Sequence, residues 1–276
     1  MRQKDHAAAF RKLHDRTRIL VLPNAWDAAS ARVFEEAGFP ALATTSAGIA
    51  ASLGYPDRER ISRGEMAKAV ARIVKAVRVP VSADMEAGYG PIPKAVRQTV
   101  EAAIEAGAVG VNLEDATGDR VRPLYDPEAQ AERIRAAREA AKLCGVDLFL
   151  NARTDVYLLE VGADHARFDR VVRRAVAYLE AGADCIFVPG VTDRDLIGRL
   201  AGAIAAPLNV LAVAGTPPAS ELQGLGVARV SVGSGAMRAA LGLTRRIARE
   251  LREAGTYGSL TEGAIPYGEL NGLLGR

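Results

Sequence analysis

The chain has 276 residues, 49% of them hydrophobic and 25% charged, with a formal net charge of +3. That length suits one large α/β domain or two small ones, and the balance is ordinary for a globular protein. The small charge, the 5% aromatic content without interleaved basic runs, and the lack of any membrane-length apolar window argue against nucleic-acid and membrane partners.

The segment from Met1 to Arg18 is charged and lacks the apolar core of a secretory signal, so a cytoplasmic location is expected. Strand character first occurs at Ile19–Leu22, followed by Asn24, Trp26 and Asp27. Glu36-Ala-Gly38 then ends a helix with glycine at its C′ position and leads into a strand at Ala41–Thr45. That strand runs into the small-residue turn Thr44-Thr45-Ser46-Ala47-Gly48, whose backbone amides could hold an anion. The next strand, Val79–Ala83, ends in Asp84 and Glu86, with Gly88-Tyr89-Gly90 beyond. Side chains alternate along a strand, so the two acids should face one way, where burying either is costly without a cation or protons.

Val96, Val100, Ala103 and Ile104 mark a helical face before Gly107. The strand Val109–Leu113 follows and ends in Glu114 and Asp115; being adjacent, only one should face inward, and Glu114 is the expected one. Ile134, Ala137, Ala141 and Cys144 form the buried face of the next helix. Strand Asp147–Asn151 then leads into Asn151-Ala-Arg153-Thr-Asp155, whose arginine suits a carboxylate or phosphonate, or else pairs with Asp155 or Glu86. Glu180-Ala-Gly182 precedes strand Cys185–Val188, strand Pro207–Leu211 follows, and Leu225-Gly226 precedes Arg229–Val232 and a Gly233-Ser-Gly235 turn of phosphate-binding look. The glycine-rich tail after Thr256 reads as a terminal arm or partner contact.

Eight strands, each followed by a helical segment, predict a single (β/α)8 TIM-type barrel domain spanning residues 1–276. An open doubly wound sheet is the rival. In a barrel the strand ends form the active-site face, and polar residues crowd the first five of them. Neither cysteine suggests a disulfide or zinc spacing, no histidine falls at a strand end, and all six lysines fall in helical segments. Carboxylates, arginines, hydroxyls and amides remain, a set that suits Mg²⁺ or Mn²⁺.

Taken together, Leu22-Pro-Asn-Ala-Trp-Asp27, Thr45-Ser46-Ala-Gly48, Ser52-Leu-Gly54-Tyr-Pro-Asp57, Asp84-Met-Glu86-Ala-Gly-Tyr-Gly90, Leu113-Glu114-Asp115 and Asn151-Ala-Arg153-Thr-Asp155 resemble the isocitrate lyase and phosphoenolpyruvate mutase superfamily over nearly the whole chain. The resemblance implies a barrel whose last helix is swapped between subunits of a homo-oligomer, dimer or tetramer. It implies Mg²⁺ on Asp84, with Asp57, Glu86 and Glu114 reaching it mainly through water. Thr45, Ser46, Ala47, Gly48, Trp26, Asn151 and Arg153 would bind a small α-keto acid or dicarboxylate. Asp57, Arg153, Tyr89 and Tyr125 would serve catalysis through an enolate.

The chain also departs from the family pattern. Isocitrate-type lyases carry Lys-Lys-Cys-Gly-His after the fourth strand, and phosphoenolpyruvate mutases Lys-Thr-Asn-Ser; this chain has Ala116-Thr-Gly118-Asp-Arg-Val-Arg122-Pro-Leu-Tyr125-Asp. Val188-Pro189-Gly190 replaces the usual acid or histidine, and Glu86 stands where aspartate is usual. Thr117, Arg120 and Arg122 would line this altered gate. The expected activity is carbon–carbon lyase or decarboxylase. P–C chemistry of the phosphonomutase type is the alternative, and a non-catalytic barrel that only binds a keto acid is a third reading.

Overall fold

Parallel pairing runs without interruption around nine short strands. A computed structural model describes residues 3–275; Met1, Arg2 and Arg276, the ends of the expected domain, lie outside them. In chain order the elements are α1 Gln3–Lys12, β1 Leu20–Leu22, β2 Asn24–Ala25, α2 Ala28–Glu36, β3 Leu42–Thr44, α3 Ser46–Ser52, α4 Arg63–Ala76, β4 Val81–Asp84 and α5 Pro93–Glu105. They continue with β5 Gly110–Glu114, α6 Pro127–Cys144, β6 Phe149–Arg153, α7 Asp164–Glu180, β7 Cys185–Val188, α8 Arg194–Ala203 and β8 Leu208–Leu211. The chain ends with α9 Ala219–Gly224, β9 Arg229–Ser231, α10 Gly235–Glu253, α11 Gly258–Thr261 and α12 Tyr267–Leu274.

β1 pairs with β9 and β2 pairs with β3, each in parallel. Only Pro23 separates β1 from β2, so they act as one strand and the sheet closes as a (β/α)8 barrel. Proline has no N–H for the ladder, which breaks the strand there, yet its carbonyl still accepts from Ala43 N at 2.9 Å. Pro80 and Pro207 likewise delay β4 and β8 past the starts expected from the sequence. The turns after α2, α5, α7 and α9 hold Gly38, Gly107, Gly182 and Gly226 at positive φ, as the repeated helix-ending phrase predicts.

The strand residues that face the helices are apolar and buried: Val111, Leu113, Leu150, Ala152, Ile186, Val188, Val210 and Val230. The barrel interior is unusually polar. Ser82, Asn112, Asn151, Asn209, Arg229 and Ser231 are all buried there, with Asn151 Nδ2 donating to Asn112 Oδ1 at 2.7 Å. The N-terminal helix closes the bottom: Phe10 and His14 pack on Phe149, His14 stacked at 3.9 Å. Burial and the nearby Arg229 charge hold the His14 imidazole neutral, with its pKa pushed down to about 3.

At the other end of the chain, Met237 is the one buried residue of α10, while Leu241 and Leu251 are exposed. The expected arm after Thr256 contains α11 and α12, and α12 lies against α2. Cys185 is buried as expected, but Cys144 is exposed rather than core. It sits on the last turn of α6, beyond the buried stripe, just before Gly145 turns left-handed. No helix among the described residues is long and apolar enough to cross a membrane.

Candidate active site at the acid-lined barrel mouth

Asp84 closes β4, and its carboxylate is anchored on one side only. Ser46 N and Ser46 Oγ donate to Oδ2 at 3.0 and 2.8 Å, while Asp84 N donates to Thr44 Oγ1 at 2.9 Å. Oδ1 is buried with no partner, and a buried carboxylate oxygen left so is costly. Ser46 opens α3, whose N-cap Thr45 accepts from Gly48 N. A Cβ at Gly48 would meet Thr45 Cγ2 at 2.6 Å and Trp26 Cβ at 2.8 Å, so only glycine lets α3 start this close to β2. The Ser46 amide, expected to serve a substrate anion, is therefore committed to Asp84; Ala47 follows it on the same turn.

Glu86 reaches the same place by a different route from the one strand alternation suggests. The strand ends at Asp84, and Glu86 and Tyr89 take left-handed backbone with φ of 51° and 57°. Opposite them Arg58 and Glu59 are also left-handed, at 77° and 52°. Four non-glycine residues in this conformation at one place are a concentration of strain, typical of sites where geometry is over-determined. The contacts that hold it are specific. Glu59 N donates to Glu86 Oε2, Tyr89 N donates to Glu59 Oε1 at 2.7 Å, and Tyr89 Oη donates to Glu86 Oε1 at 3.0 Å. Burial and then the Glu86 charge drive the Tyr89 pKa far upward, which favours the protonated hydroxyl that donates to Glu86.

Arg153 emerges from β6 into this mouth. Its Nε and Nη2 grip both oxygens of Asp155 at 2.6 and 2.9 Å, and Nη1 meets Glu114 Oε2 at 2.8 Å. Of the two sequence readings of Arg153, the structure shows the ion pair, made with Asp155 and with Glu114 rather than Glu86. Glu114 faces inward, as expected. Asp115 turns the other way, onto Arg174 at 2.9 Å, Tyr178 Oη at 2.7 Å and the Asp155 amide at 2.9 Å, and is structural.

Burial and mutual repulsion raise the pKa values of the acids in this cluster. Burial, and the charges of Asp84 and Asp57, push the Glu86 carboxyl up to about 7. Burial pushes Glu114 well above the usual carboxylate range against the pull of Arg153, with Asp155, Asp84 and Glu86 adding to it. Asp57, exposed at the lip, is raised by partial desolvation and by Asp84. Among the described residues no three acidic, histidine or cysteine side chains form a ready set of direct metal ligands. The donor chemistry fits a hard cation held directly by Asp84 alone, since its free, buried oxygen is the one that lacks a partner, with the other acids around it.

A pH prediction follows from Glu86. Its folded pKa lies above the unfolded value of 4.5, so its ionisation costs stability as pH rises between about 4.5 and 7. Without divalent cation, Glu86→Gln should match the native chain at pH 5 and exceed it at pH 8 by on the order of 2 kcal/mol. Urea unfolding at the two pH values checks this, and equal differences at both would show that burial does not raise the Glu86 carboxyl.

One buried charge escaped the sequence reading. Arg133, on the apolar face of α6, is fully buried. It donates to Gln130 Oε1 at 2.8 Å, to Gly90 O at 2.6 Å and to Ala87 O. It also stacks its guanidinium on Tyr125 at 4.1 Å. A charged residue on an apolar stripe was the available signal. It braces the turn in which Gly88, at φ +90°, leaves no room for a Cβ beside Leu113 Cδ1 at 2.9 Å. Arg133→Met should leave two carbonyls unpaired, cost about 3 kcal/mol and lower activity more than it raises KM; calorimetry and steady-state kinetics test both.

Other expected roles shift. Tyr125 does not join the acids: its ring lies on Arg133, and it lines a cavity outside the mouth. Asn151 is wholly buried beneath the mouth, level with Asp84 through Asn112. Asn24 Oδ1 takes the Val232 and Gly233 amides at 2.9 and 3.0 Å, so the Gly233-Ser-Gly235 turn is closed onto Asn24. Asp27 caps α2 in a capping box with Ser30. The segment expected to gate the site is a short hairpin pinned by an Ala116–Leu124 bridge, with Val121 exposed at its tip.

Comparison with known proteins agrees with this geometry. The family model for phosphoenolpyruvate phosphomutase matches residues 10–252. The 2-methylisocitrate lyase of Aeropyrum pernix is 30% identical over 276 aligned positions, covering 96% of this chain and 86% of its own. A Burkholderia cenocepacia crystal structure, described provisionally as a lyase/mutase, superposes with a TM-score of 0.91 at 45% identity, covering 98% of this chain and 95% of that one. The structure of oxaloacetate acetylhydrolase with its product oxalate gives a TM-score of 0.87 at 29% identity, covering 98% and 94%. With the acid-lined mouth, the closed barrel and these matches in agreement, the chain belongs to the phosphoenolpyruvate phosphomutase family, within the isocitrate lyase and phosphoenolpyruvate mutase superfamily.

Proposed function

We propose that this chain is a Mg²⁺-dependent enzyme, with Mn²⁺ as a substitute ion, that acts on a small α-keto acid or dicarboxylate as a carbon–carbon lyase or decarboxylase. The observation that carries this reading is Asp84, whose carboxylate is fixed by Ser46 on one oxygen and buried without a partner on the other, amid acids that resist ionisation. Asp84 would hold the ion, with Asp57, Glu86 and Glu114 around it. When bound, the ion would supply positive charge opposite an oxygen on which negative charge develops. A relative named 2-methylisocitrate lyase and a similar structure of oxaloacetate acetylhydrolase with its product oxalate support the substrate class.

The chain's own side chains divide the remaining work. Arg153 is fixed by Asp155, so its planar fork is aimed before substrate arrives, and it would orient an anionic group. The Ala47 amide at the start of α3 and the Trp26 ring would bound the same space. Tyr89 keeps Glu86 in place as a donor. The 116–126 hairpin would close over the mouth and keep water from the reacting carbon.

P–C chemistry is the second reading, because the matching family model is that of a phosphomutase. A barrel that only binds a keto acid is disfavoured by the retained acids and Arg153. A homo-oligomer is part of the same reading, since the exposed Leu241 and Leu251 of α10 offer a face for a second copy; light scattering would give the mass. The deciding assay follows product release from a panel of keto dicarboxylates with and without Mg²⁺, beside phosphorus NMR on phosphonates. Cation-dependent carbon–carbon cleavage supports the first reading and phosphonate turnover the second, while turnover of neither set would defeat both.

A further inference from the structure

A cavity of about 480 Å³ opens between the gate hairpin and α7, lined by Thr117, Arg122, Tyr125, Arg170 and Arg174 among others. It adjoins a lobe of about 270 Å³ that shares Asp126, Arg170 and Arg174 and adds Arg173. None of the four acids assigned to the cation lines either lobe. Arg174 is 4% exposed. Its Nη1 is held by Asp115 and Tyr178, but its Nε is buried without a partner, as is Nε of Arg170.

Among the described residues Arg122, Arg170 and Arg173 make no ion pair, although Asp119, Asp126 and Glu128 are on the same rim. The Asp119 carboxylate is taken up by the amides of Val121 at 2.7 Å and Arg122 at 3.4 Å. The first turn of α6 opens on the same cleft, and its N-cap Asp126 makes no side-chain cap. Buried guanidinium nitrogens need acceptors, and a set of forks around one cleft suits an anion with several oxygens.

We propose that this cleft is a second binding site, for a small multivalent anion of phosphate or polycarboxylate type, distinct from the acid mouth. It is wired to that mouth. Arg174 holds Asp115, Asp115 accepts from the Asp155 amide at 2.9 Å, and Asp155 grips the Arg153 fork that also meets Glu114. An anion drawn to the unpartnered Arg174 Nε positions the guanidinium whose Nη1 holds Asp115, and so acts on the placement of Arg153. The same anion, by binding Arg122 and Thr117, fixes the gate hairpin from its outer side.

Titration calorimetry of inorganic phosphate and of citrate into the full chain, at ionic strength fixed with NaCl, tests this. The site predicts saturable binding that Arg122→Ala with Arg170→Ala weakens at least tenfold, with an unchanged melting transition. Binding must persist when Mg²⁺ and oxalate are both present; the tighter of the two anions identifies the ligand's chemistry. No saturable heat in the native chain, or binding that survives the double substitution but is displaced by Mg²⁺ with oxalate, overturns the proposal.

Discussion

Asp84→Asn is expected to leave the fold intact and lower kcat/KM by about a thousandfold or more. The substitution is close to isosteric, and the remaining carbonyl can still accept from Ser46 N and Oγ, so the α3 start keeps its anchor. What it removes is the negative charge beside Oδ1, the buried oxygen that no protein group satisfies. The loss should appear in Mg²⁺ affinity as well as in turnover, because both are assigned to the same atom. Near-native turnover in Asp84→Asn, with an unchanged melting transition, would remove Asp84 from the chemistry.

Arg153→Met should be the most damaging single change to stability at the mouth. Removing the guanidinium leaves Asp155, 2% exposed, and Glu114, 16% exposed, facing each other with no counter-charge. Breaking one side of a buried pair costs 3–5 kcal/mol, and the partial exposure of Glu114 places this case near the lower end, about 3 kcal/mol. Protonation of the stranded Glu114, whose carboxyl burial already pushes upward, relieves the repulsion, so the deficit should be full at pH 8 and shrink towards pH 5. Arg153→Lys restores the charge without the planar fork; it should recover much of the stability and little of the activity. Urea unfolding of both variants across that range separates the effects. A deficit below about 1 kcal/mol at pH 8 would mean that the pairs are solvent-screened and carry little.

Much of the fold and of the mouth is legible in the sequence, and the reasons are local. The barrel was legible because Gly38, Gly107, Gly182 and Gly226 each end a helix at positive φ just ahead of a strand. Glu114 and Asp115 were correctly split between inside and outside because strand alternation holds through β5. The same rule gave the right neighbourhood for Glu86 by the wrong route, since β4 ends at Asp84 and a left-handed turn does the rest.

Long-range partners were not legible. Nothing in the residues around Glu59 signals that its amide and side chain clamp Glu86 and Tyr89 from a loop 27 positions away. The gate segment after the fourth strand puts Tyr125 beside the acids in the sequence reading, but the hairpin returns it to Arg133. Cys144 followed the helical stripe one turn too far, past the point where α6 leaves the core. The polar barrel interior, with Arg229 buried among asparagines, was hidden because its strand residues alternate with apolar ones that read as ordinary core.

The most direct test of a cation-dependent keto-acid site is the melting temperature of the chain with Mg²⁺ alone, oxalate alone, and both together. Oxalate is a planar dianion shaped like the enolate of pyruvate, and a ligand that binds only the folded state raises Tm by mass action. A cooperative rise that needs both, is larger at pH 8 than at pH 5, and is absent in Asp84→Asn is the predicted result. Equal shifts with and without Mg²⁺, or a joint shift that persists in Asp84→Asn, would contradict it.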